Sequence, residues 1–443
     1  MKVIIVGAVA GGATVASQLR RINPNIEITI YEKDRDMSFA NCGLPYYLGN
    51  VIEDRSSLVQ SNPQQFLENK NITVHTYHEV TSIDTIKQTL TIHDIKNEKD
   101  INDAYDYLIL SPGAKVVTLP QLNAPHVFSL RNLEDTDKIE AYIKKENVQT
   151  TLVIGAGYIS LEMVENLKIR GLDVTLVHRN QDLFKNADKA IRKNIAPLLK
   201  ENGVHIQLDD EVKQLDGKKV IFKSGKIASY DMIISAIGIQ PNTAFLPKQI
   251  EKTESKHIKV NPFFQTNVQN IYALGDAVEL SYAHVDLKTP LALAWPAHRA
   301  ASLIAKNIDR NTKNQQPVPF VGIVGTSILK LFDQTFASVG IQEKDLDQFD
   351  VVTIEQTQKS NAGYMPNAQP ITLIVHFEKS SRKLLRASAC GKHGVDKRID
   401  ILSTLMKKSA TVDELMDVEI AYSPPYASPK DIINMIGYKA QAY

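Results

Sequence analysis

The sequence predicts an α/β protein with two three-layer domains built on parallel sheets, followed by a smaller α+β domain. Two apolar runs, Val3–Val6 and Leu152–Ile154, each lead through glycines into a helical pattern. Buried parallel strands with crossover helices have this signature. A polar, proline-rich stretch at 311–319 then marks a domain boundary. Beyond it, we expect strands at 371–377 and 384–389 and helices at 396–407 and 411–416.

The composition is that of an ordinary globular chain. Its 443 residues suffice for about two to four domains. The net charge of +1 provides no field that favours nucleic acid or an anionic membrane, and no apolar run approaches the ~20 residues that cross a bilayer. Two distant cysteines do not suggest a disulfide framework, and Met1 leads directly into a strand, without room for a signal peptide. We therefore expect a cytoplasmic protein without nucleic-acid or membrane partners.

The first glycine-rich turn follows the first strand and consists of Gly7, Ala8, Val9, Ala10, Gly11 and Gly12. Its glycines permit a pyrophosphate to approach the helix amino terminus, where free N–H groups favour anions. Val9 takes the second glycine's place in the strict pattern, so the turn alone is weak evidence. Glu32, after the strand 26–31, strengthens it because a carboxylate there accepts from ribose hydroxyls. We interpret the unit as a Rossmann-like dinucleotide site; a surface glutamate is the alternative role of Glu32.

The second glycine-rich turn consists of Gly155, Ala156, Gly157, Tyr158, Ile159 and Ser160, and Glu162 follows it. The next strand, 174–177, ends in His178 and Arg179 rather than in an acidic residue. A carboxylate here would repel a 2′-phosphate, whereas Arg179 would pair with one, so we predict NADPH rather than NADH. The alternative is that Arg179 only points into solvent.

Thr266, Gly275 and Asp276 form a third candidate for nucleotide binding. These residues indicate a flavin site only in combination with the first glycine-rich turn. An aspartate after a small-residue turn at a strand end suits a flavin ribityl hydroxyl. We therefore predict a discontinuous FAD-binding domain at 1–114 and 242–316, an NADPH-binding domain at 115–241, and a C-terminal interface domain at 317–443.

Cys42 lies shortly after the first unit, in the segment Ser38–Tyr46. The usual disulfide partner of such a cysteine is missing. The positions five residues to either side hold Met37 and Tyr47, and Cys390 is the only other cysteine. A flavoenzyme with one redox thiol must complete its chemistry with a sulfur or oxygen from outside. The alternative, a small buried hydrophobe, is what we expect for Cys390 in its alanine-rich strand pattern.

The first helical pattern has two distinct faces. The face expected to point at the sheet carries Val15, Leu19 and Ile22. A polar face carries Thr14, Gln18 and Arg21. This polar face suits a groove for a long ligand with phosphates, and it suits an ordinary solvated helix equally well; the residues alone leave both interpretations open.

The two turns, Gly275 with Asp276, and the final domain resemble the FAD- and NAD(P)-dependent pyridine nucleotide-disulfide oxidoreductases. The segment Ser38–Tyr46 is similar to that of the single-cysteine branch, which comprises NADH oxidases, NADH peroxidases and coenzyme A-disulfide reductases. The resemblance runs essentially end to end, includes 131–135 and 422–426, and is strongest to the coenzyme A-disulfide reductases. Oxidases and peroxidases of the branch carry a histidine where this chain has Ala10, which favours disulfide chemistry.

The resemblance implies a homodimeric flavoprotein that uses FAD and NADPH to reduce coenzyme A disulfide to two thiols. Electrons from NADPH reach a mixed disulfide of Cys42 and coenzyme A through the flavin, and the freed Cys42 thiolate attacks the next disulfide. This chemistry calls for a depressed pKa of Cys42. Two alternatives stay open: an NAD(P)H oxidase or peroxidase that uses a Cys42 sulfenic acid, and a redox-sensing protein in which the mixed disulfide is a signal.

The resemblance also implies roles for individual residues, and no metal site. Coenzyme A contacts fall on Thr14, Gln18, Arg21, Ser38, Asn41, Lys70, His298 and Lys430. FAD contacts fall on the first turn and on Glu32, Lys33, Thr266, Gly275, Asp276 and Tyr422. Tyr364 and Tyr422 would reach across from the partner subunit as hydrogen-bond donors or late acids, because an unperturbed phenol has a pKa near ~10. Interface packing is their alternative role.

Overall fold

The computed structural model describes residues 1–443 and contains three sheets of five strands, joined by smaller ones. The strands are β1 (Lys2–Val6), β2 (Glu27–Glu32), β3 (Thr73–Thr76), β4 (His78–Asp84), β5 (Thr89–Asp94), β6 (Lys99–Ala104), β7 (Tyr107–Leu110), β8 (Ala114–Val116), β9 (Val127–Phe128), β10 (Thr150–Ile154), β11 (Asp173–His178), β12 (His205–Leu208), β13 (Val212–Asp216), β14 (Lys219–Phe222), β15 (Ile227–Ser229), β16 (Met232–Ser235), β17 (Ile239–Pro241), β18 (Ile271–Ala273), β19 (Glu279–Ser281), β20 (Lys288–Pro290), β21 (Ser327–Leu331), β22 (Gln334–Gly340), β23 (Val351–Lys359), β24 (Pro370–Glu378) and β25 (Leu384–Gly391).

The helices are α1 (Ala10–Ile22), α2 (Leu44–Leu48), α3 (Pro63–Lys70), α4 (Leu133–Glu146), α5 (Tyr158–Ile169), α6 (Lys189–Arg192), α7 (Ile195–Glu201), α8 (Ala294–Thr312), α9 (Val395–Lys407) and α10 (Ile432–Ala440). None of them combines the length with the apolar composition that a membrane crossing requires.

The first sheet is parallel, with strand order β18-β7-β1-β2-β3. Its carboxyl edge carries the first glycine-rich turn. Gly7 has a φ of +94°, and a Cβ there would lie 2.2 Å from the carbonyl oxygen of Ser111. A Cβ on Gly12 would lie 1.8 Å from the carbonyl oxygen of Gly7. Only glycine therefore allows α1 to start so close to the end of β1.

The second sheet repeats this plan, with parallel strand order β12-β11-β10-β16-β9. Gly155 has a φ of +121°, and a Cβ there would lie 2.3 Å from the carbonyl oxygen of Ala236. The second turn leads into α5 as the first leads into α1. The two parallel sheets confirm the predicted α/β class.

The chain leaves the first parallel sheet for the second through β8 and returns through β17, and these two strands lie side by side. β8 pairs antiparallel with β17, so that Val116 lies opposite Ile239. The boundaries expected at 114 and 241 fall at this pair, and the division of the chain into domains stays a prediction.

The C-terminal region contains an antiparallel sheet of order β21-β22-β25-β24-β23. Helix α9 packs against β22 and β25, and α10 packs against β23. This arrangement confirms the α+β character and the two predicted strands. The helix expected at 411–416 is instead a 3₁₀ turn at Asp413–Asp417, because Arg382 pairs with Asp413 at 2.6 Å and fixes the chain there.

Helix α1 differs from its prediction at one end. Val15 and Leu19 are fully buried, whereas Ile22 is exposed because the helix ends there, beyond the sheet. The sequence pattern did not predict α8, which packs along α1 and presents His298 beside it.

Candidate functional site

Glu32 closes the first glycine-rich turn from the side of β2. Its carboxylate is 6 % exposed and accepts hydrogen bonds from the backbone N–H groups of Ala8 at 2.7 Å and Asp34 at 3.0 Å. Burial raises the pKa of Glu32 to about 7, and the two N–H donors oppose that rise. The predicted ribose-binding carboxylate thus lies at the carboxyl edge of the sheet, in contact with the turn.

The geometry of the first turn fits a dinucleotide. The N–H groups at the start of α1 have no side-chain cap, and helix amino termini bind phosphate in this state. Gly11 lets the start of α1 pack closely against the neighbouring strand ends, since a Cβ there would lie 2.7 Å from the Ser111 hydroxyl and 3.1 Å from Leu274. With Glu32 for a ribose, these residues would hold FAD.

Cys42 lies in a 3₁₀ turn, Asn41–Gly43, that leads into α2. The segment before it is bonded to the first turn, because the Ser38 N–H donates to the carbonyl of Ala8 at 2.9 Å. The helix after it is bonded to the second unit, because Arg170 donates to the carbonyl of Leu48 at 2.9 Å. Cys42 is therefore held between the two nucleotide units.

The Cys42 thiol is solvent-exposed, but its pKa is raised rather than lowered. The surrounding protein raises it first by desolvation, and the carboxylates of Glu162 and Asp276 add to the effect. The residues of this chain by themselves therefore do not provide the depressed pKa that the expected chemistry calls for, and the contribution expected from a neighbouring flavin stays a prediction.

Glu162 and Tyr46 contribute to a cavity of about 500 Å³ next to the cysteine segment. Burial and the nearby Glu165 raise the pKa of Glu162 to about 7. On the opposite wall lie residues of the C-terminal region, among them Lys330 and His393. The cavity thus joins the second nucleotide unit to the C-terminal sheet.

Asp276 is engaged by an arginine. Arg131 donates to the Asp276 carboxylate at 2.7 Å, and the backbone carbonyl of Arg131 accepts from the Asn41 amide at 3.2 Å. Asp276, Asn41 and Arg131 therefore form one connected group beside the cysteine segment. Thr266 lies apart from it, with its hydroxyl bonded to the carbonyl of Val268 at 3.1 Å.

The polar face of α1 meets residues from two other helices. The Thr14 hydroxyl lies 2.9 Å from Nδ1 of His298 on α8, and Lys70 of α3 donates to the Ser17 hydroxyl at 2.9 Å. Burial lowers the pKa of Lys70, and the charge of Arg21 lowers it further. The tertiary structure therefore brings together the predicted residues Thr14, Arg21, Lys70 and His298, with the half-buried Gln18 on the same helix.

The predicted C-terminal residues form a separate, exposed group. Tyr364 and Tyr422 are 75 % and 49 % exposed, and the interaction with the Tyr364 hydroxyl raises the pKa of Tyr422. Lys430 is also exposed. No hydrogen bond within the chain connects these three residues to Cys42.

The second turn is closed by its own serine. The Ser160 hydroxyl accepts from the Gly157 N–H at 3.0 Å. At the end of β11, His178 is half-buried, and Arg179 is exposed without an ion-pair partner. Burial lowers the pKa of His178, and Arg179 and Lys185 lower it further. Arg179 is thus free to meet an anion at this edge.

Sequence reasoning missed several residues of the site. Arg131 and Tyr46 lie in the segments 131–135 and Ser38–Tyr46, which resemble family motifs, so the sequence could have indicated them as site residues. Glu162 was noted only for its position after the second turn. Lys185 carried no signal, because its place depends on the path of the chain after β11.

Two family models match the chain. Residues 1–301 match the model of the pyridine nucleotide-disulphide oxidoreductases, and residues 326–431 match that of their dimerisation domain. The chain is 48 % identical over 441 residues to the coenzyme A disulfide reductase of Staphylococcus epidermidis, covering 99 % of this chain and 100 % of that protein.

Solved structures are similar over the whole chain. The reduced Bacillus anthracis CoADR-RHD has 39 % sequence identity and a TM-score of 0.95, covering 99 % of this chain and 80 % of that one. A NAD-dependent persulfide reductase from A. fulgidus has 30 % identity and a TM-score of 0.94, covering 100 % of this chain and 83 % of that one.

Replacing Glu162 with glutamine should lower the pKa of Cys42, because it removes one of the two charges that raise it. In mildly alkaline buffer we expect iodoacetamide to alkylate the reduced Glu162→Gln protein roughly twofold faster than wild type. Mass spectrometry of the Cys42 peptide across a pH series measures this rate. The difference should shrink below a pH of about 7, where wild-type Glu162 becomes protonated.

The matched control is Glu98→Gln, which removes the same charge from the exposed β5–β6 hairpin. Acceleration of equal size in both variants, or none in Glu162→Gln, would contradict the proposed effect of Glu162.

Proposed function

The chain belongs to the pyridine nucleotide-disulphide oxidoreductase family, and we propose that it reduces coenzyme A disulfide to two coenzyme A thiols with NADPH as electron donor. The observation that carries this proposal is the single exposed thiol of Cys42 between two nucleotide-binding turns. Cys390 cannot serve as its disulfide partner, since it is 8 % exposed within β25 of the C-terminal sheet. The second sulfur must come from the substrate.

The first turn with Glu32 would hold FAD, and the second turn with Arg179 would hold NADPH. When bound, FAD supplies two-electron exchange between the nicotinamide and a sulfur. The role of this chain is to hold Cys42 at the first turn through the bond between Ser38 and Ala8. Asp276 would meet the ribityl chain while Arg131 orients its carboxylate through the ion pair at 2.7 Å.

The sulfur chemistry balances with one cysteine. The Cys42 thiolate attacks coenzyme A disulfide, a bond forms between Cys42 and one coenzyme A sulfur, and the other coenzyme A leaves as a thiolate that takes a proton. Two electrons and one proton then cleave the mixed disulfide, which releases the second coenzyme A thiol and restores the Cys42 thiolate. The net reaction consumes one NADPH and one proton for each disulfide.

The polar face of α1 would bind the coenzyme A moiety. Thr14, His298 and Lys70 are already oriented by hydrogen bonds, and Arg21 adds a cation for the phosphates. The remaining proposed contacts are Gln18, Ser38, Asn41 and Lys430. Lys430 lies with the exposed tyrosines, so it would reach the ligand from the partner subunit.

A peroxidase or oxidase reaction through a Cys42 sulfenic acid is the rival function. Ala10 opens α1 and offers no imidazole to protonate a peroxide oxygen. The chain therefore favours a disulfide as the group that meets Cys42.

Loss of the Cys42 sulfur should abolish the reaction. Intact-mass analysis of the purified protein before and after reductant should show the loss of about one coenzyme A per chain, mapped to Cys42. Cys42→Ser should carry no adduct and lose at least roughly 1,000-fold of its anaerobic turnover of coenzyme A disulfide. Cys390→Ser is the control and should keep both. Wild-type turnover in Cys42→Ser would refute the mechanism.

Arg179 should decide the choice of nucleotide. Arg179→Glu should raise the KM for NADPH about 10- to 100-fold and leave the KM for NADH nearly unchanged, because only NADPH carries the 2′-phosphate. Steady-state kinetics with both nucleotides measures this. Lys200→Glu makes the same charge change at the end of α7 and should alter neither value. Equal effects on both nucleotides would remove the assignment.

Tyr364 and Tyr422 should act across the dimer. The double Phe variant should lower kcat about tenfold by removing the proton donors to the departing thiolate, whereas Tyr426→Phe in the same exposed tail should not. A heterodimer of one Cys42→Ser subunit and one double-Phe subunit has one complete site only if the tyrosines act in trans. A heterodimer with about half of the wild-type kcat supports the shared site, and one with about a twentieth, the value for a Cys42 site that lacks its own tyrosines, contradicts it.

A further inference from the structure

The loop between β11 and α6, residues 179–188, is where the proposed NADPH preference resides. It begins with Arg179 and also carries Lys185; both side chains are exposed. His178, immediately before the loop, has its pKa lowered by burial and by these two cations. The loop therefore presents two positive charges at the carboxyl edge of the second sheet, where a 2′-phosphate would lie.

The same loop contacts the second glycine-rich turn. The Phe184 N–H donates to the carbonyl of Ala156 at 3.0 Å. The Phe184 ring meets the Tyr158 ring edge-on, with centroids 4.9 Å apart and planes at 88°. The position of the loop is thus linked to that of the turn that would hold the pyrophosphate.

The far end of the loop is bonded to the C-terminal sheet. Arg386 of β25 donates to the Asp188 carboxylate at 2.9 Å and to the carbonyl of Asn186 at 2.6 Å. Both Arg386 and Asp188 are 3 % exposed. His376 of β24 lies 3.2 Å from the same Asp188 oxygen. The loop therefore ends in a buried ionic group whose partners all belong to another sheet.

A second connection lies just beyond the loop. The Glu343 carboxylate accepts from the backbone N–H of Lys189 at 3.0 Å and pairs with Arg192. Arg192 also donates to the carbonyl of Ala187 at 2.9 Å. The start of α6 is therefore held on the C-terminal region independently of Arg386.

We propose that Arg386 is a positioning residue for nucleotide selectivity: through Asp188 and Asn186 it holds the 179–188 loop so that Arg179 and Lys185 meet the 2′-phosphate. A planar guanidinium bonded to a carboxylate and to two carbonyls, of Asn186 and Ile341, accepts only one arrangement of its partners. The C-terminal region thereby takes part in the choice between NADPH and NADH. The inference rests on the proposed NADPH preference and extends it to a residue that touches no nucleotide.

The test uses the purified FAD holoenzyme and calorimetry with two probes, adenosine 2′,5′-bisphosphate and adenosine 5′-monophosphate. Arg386→Gln should weaken binding of the bisphosphate about tenfold, because the cations are no longer preorganised, and should leave the monophosphate unchanged. The KM for NADPH should rise in parallel while kcat and the KM for coenzyme A disulfide are kept. Arg382→Gln is the matched control, since Arg382 pairs with Asp413 away from the loop.

Several results would overturn the proposal: equal weakening of both probes, no weakening, or the same change in Arg382→Gln. If Arg386→Gln fails to fold, Arg386→Lys keeps the buried charge but loses the planar set of hydrogen bonds to Asp188, Asn186 and Ile341, and it should weaken only the bisphosphate. A wild-type protein that binds both probes equally refutes the NADPH preference itself. Amide hydrogen exchange then tests separately whether Arg386 holds the loop. If residues 179–188 lose protection in Arg386→Gln and keep it in Arg382→Gln, the connection is supported. If their protection is unchanged in Arg386→Gln, the connection is refuted.

Discussion

The structure depends on how the stretch from Ser38 to Gly49, which contains Cys42, is held between the two parallel sheets. One backbone bond, from Ser38 to Ala8, joins it to the first turn, and one side-chain bond, from Arg170 to Leu48, joins it to α5. At Gly49 the segment passes so close to α5 that a Cβ would lie 2.5 Å from the Asn166 amide oxygen. These contacts fix the backbone on both sides of Cys42 relative to the two glycine-rich turns. A thiol that passes electrons from a flavin to a disulfide substrate, as proposed for Cys42, would need this constraint, because electron transfer and sulfur attack both require short distances.

The charges and the burial around Cys42 raise the pKa of its thiol and so limit its reactivity. Glu162 and Asp276 raise the pKa of Cys42, which keeps an exposed cysteine protonated and less prone to adventitious oxidation. Glu162, with a pKa raised to about 7 by burial and by Glu165, makes this effect sensitive to pH. The positive groups that a coenzyme A disulfide would meet lie instead on α1, α3 and α8. The groups proposed to bind the substrate and the groups that raise the pKa of Cys42 thus lie on different elements.

The C-terminal sheet contributes more than an interface. Its Arg386 and Asp188 of the second unit are both buried, and removing one member of such a pair costs about 3–5 kcal/mol because the other charge is left uncompensated. Such pairs add little net stability over apolar packing, but they accept a single geometry. Here that geometry orients a loop with two exposed cations, while the exposed Tyr364 and Tyr422 extend from the same region toward solvent. In the function proposed here, the C-terminal region would contribute both to the choice of nucleotide and to the protonation of the leaving thiolate.

Local sequence determined the parallel sheets, both glycine-rich turns, Glu32 and the lone Cys42, because each depends on periodicity or on a backbone conformation that only glycine adopts. It also determined the residue types of the polar α1 face, which, together with the family resemblance, predict a phosphate-bearing ligand there. Tertiary structure alone decided that His298 of α8 contacts Thr14, that Arg131 engages Asp276, and that two carboxylates raise the pKa of Cys42. These facts join residues more than a hundred positions apart, and no local pattern encodes such distances. The link from Arg386 to the loop after β11 is of the same kind, because it exists only where the second parallel sheet and the C-terminal sheet pack together. All the buried contacts between these sheets, rather than any one motif, determine their relative position.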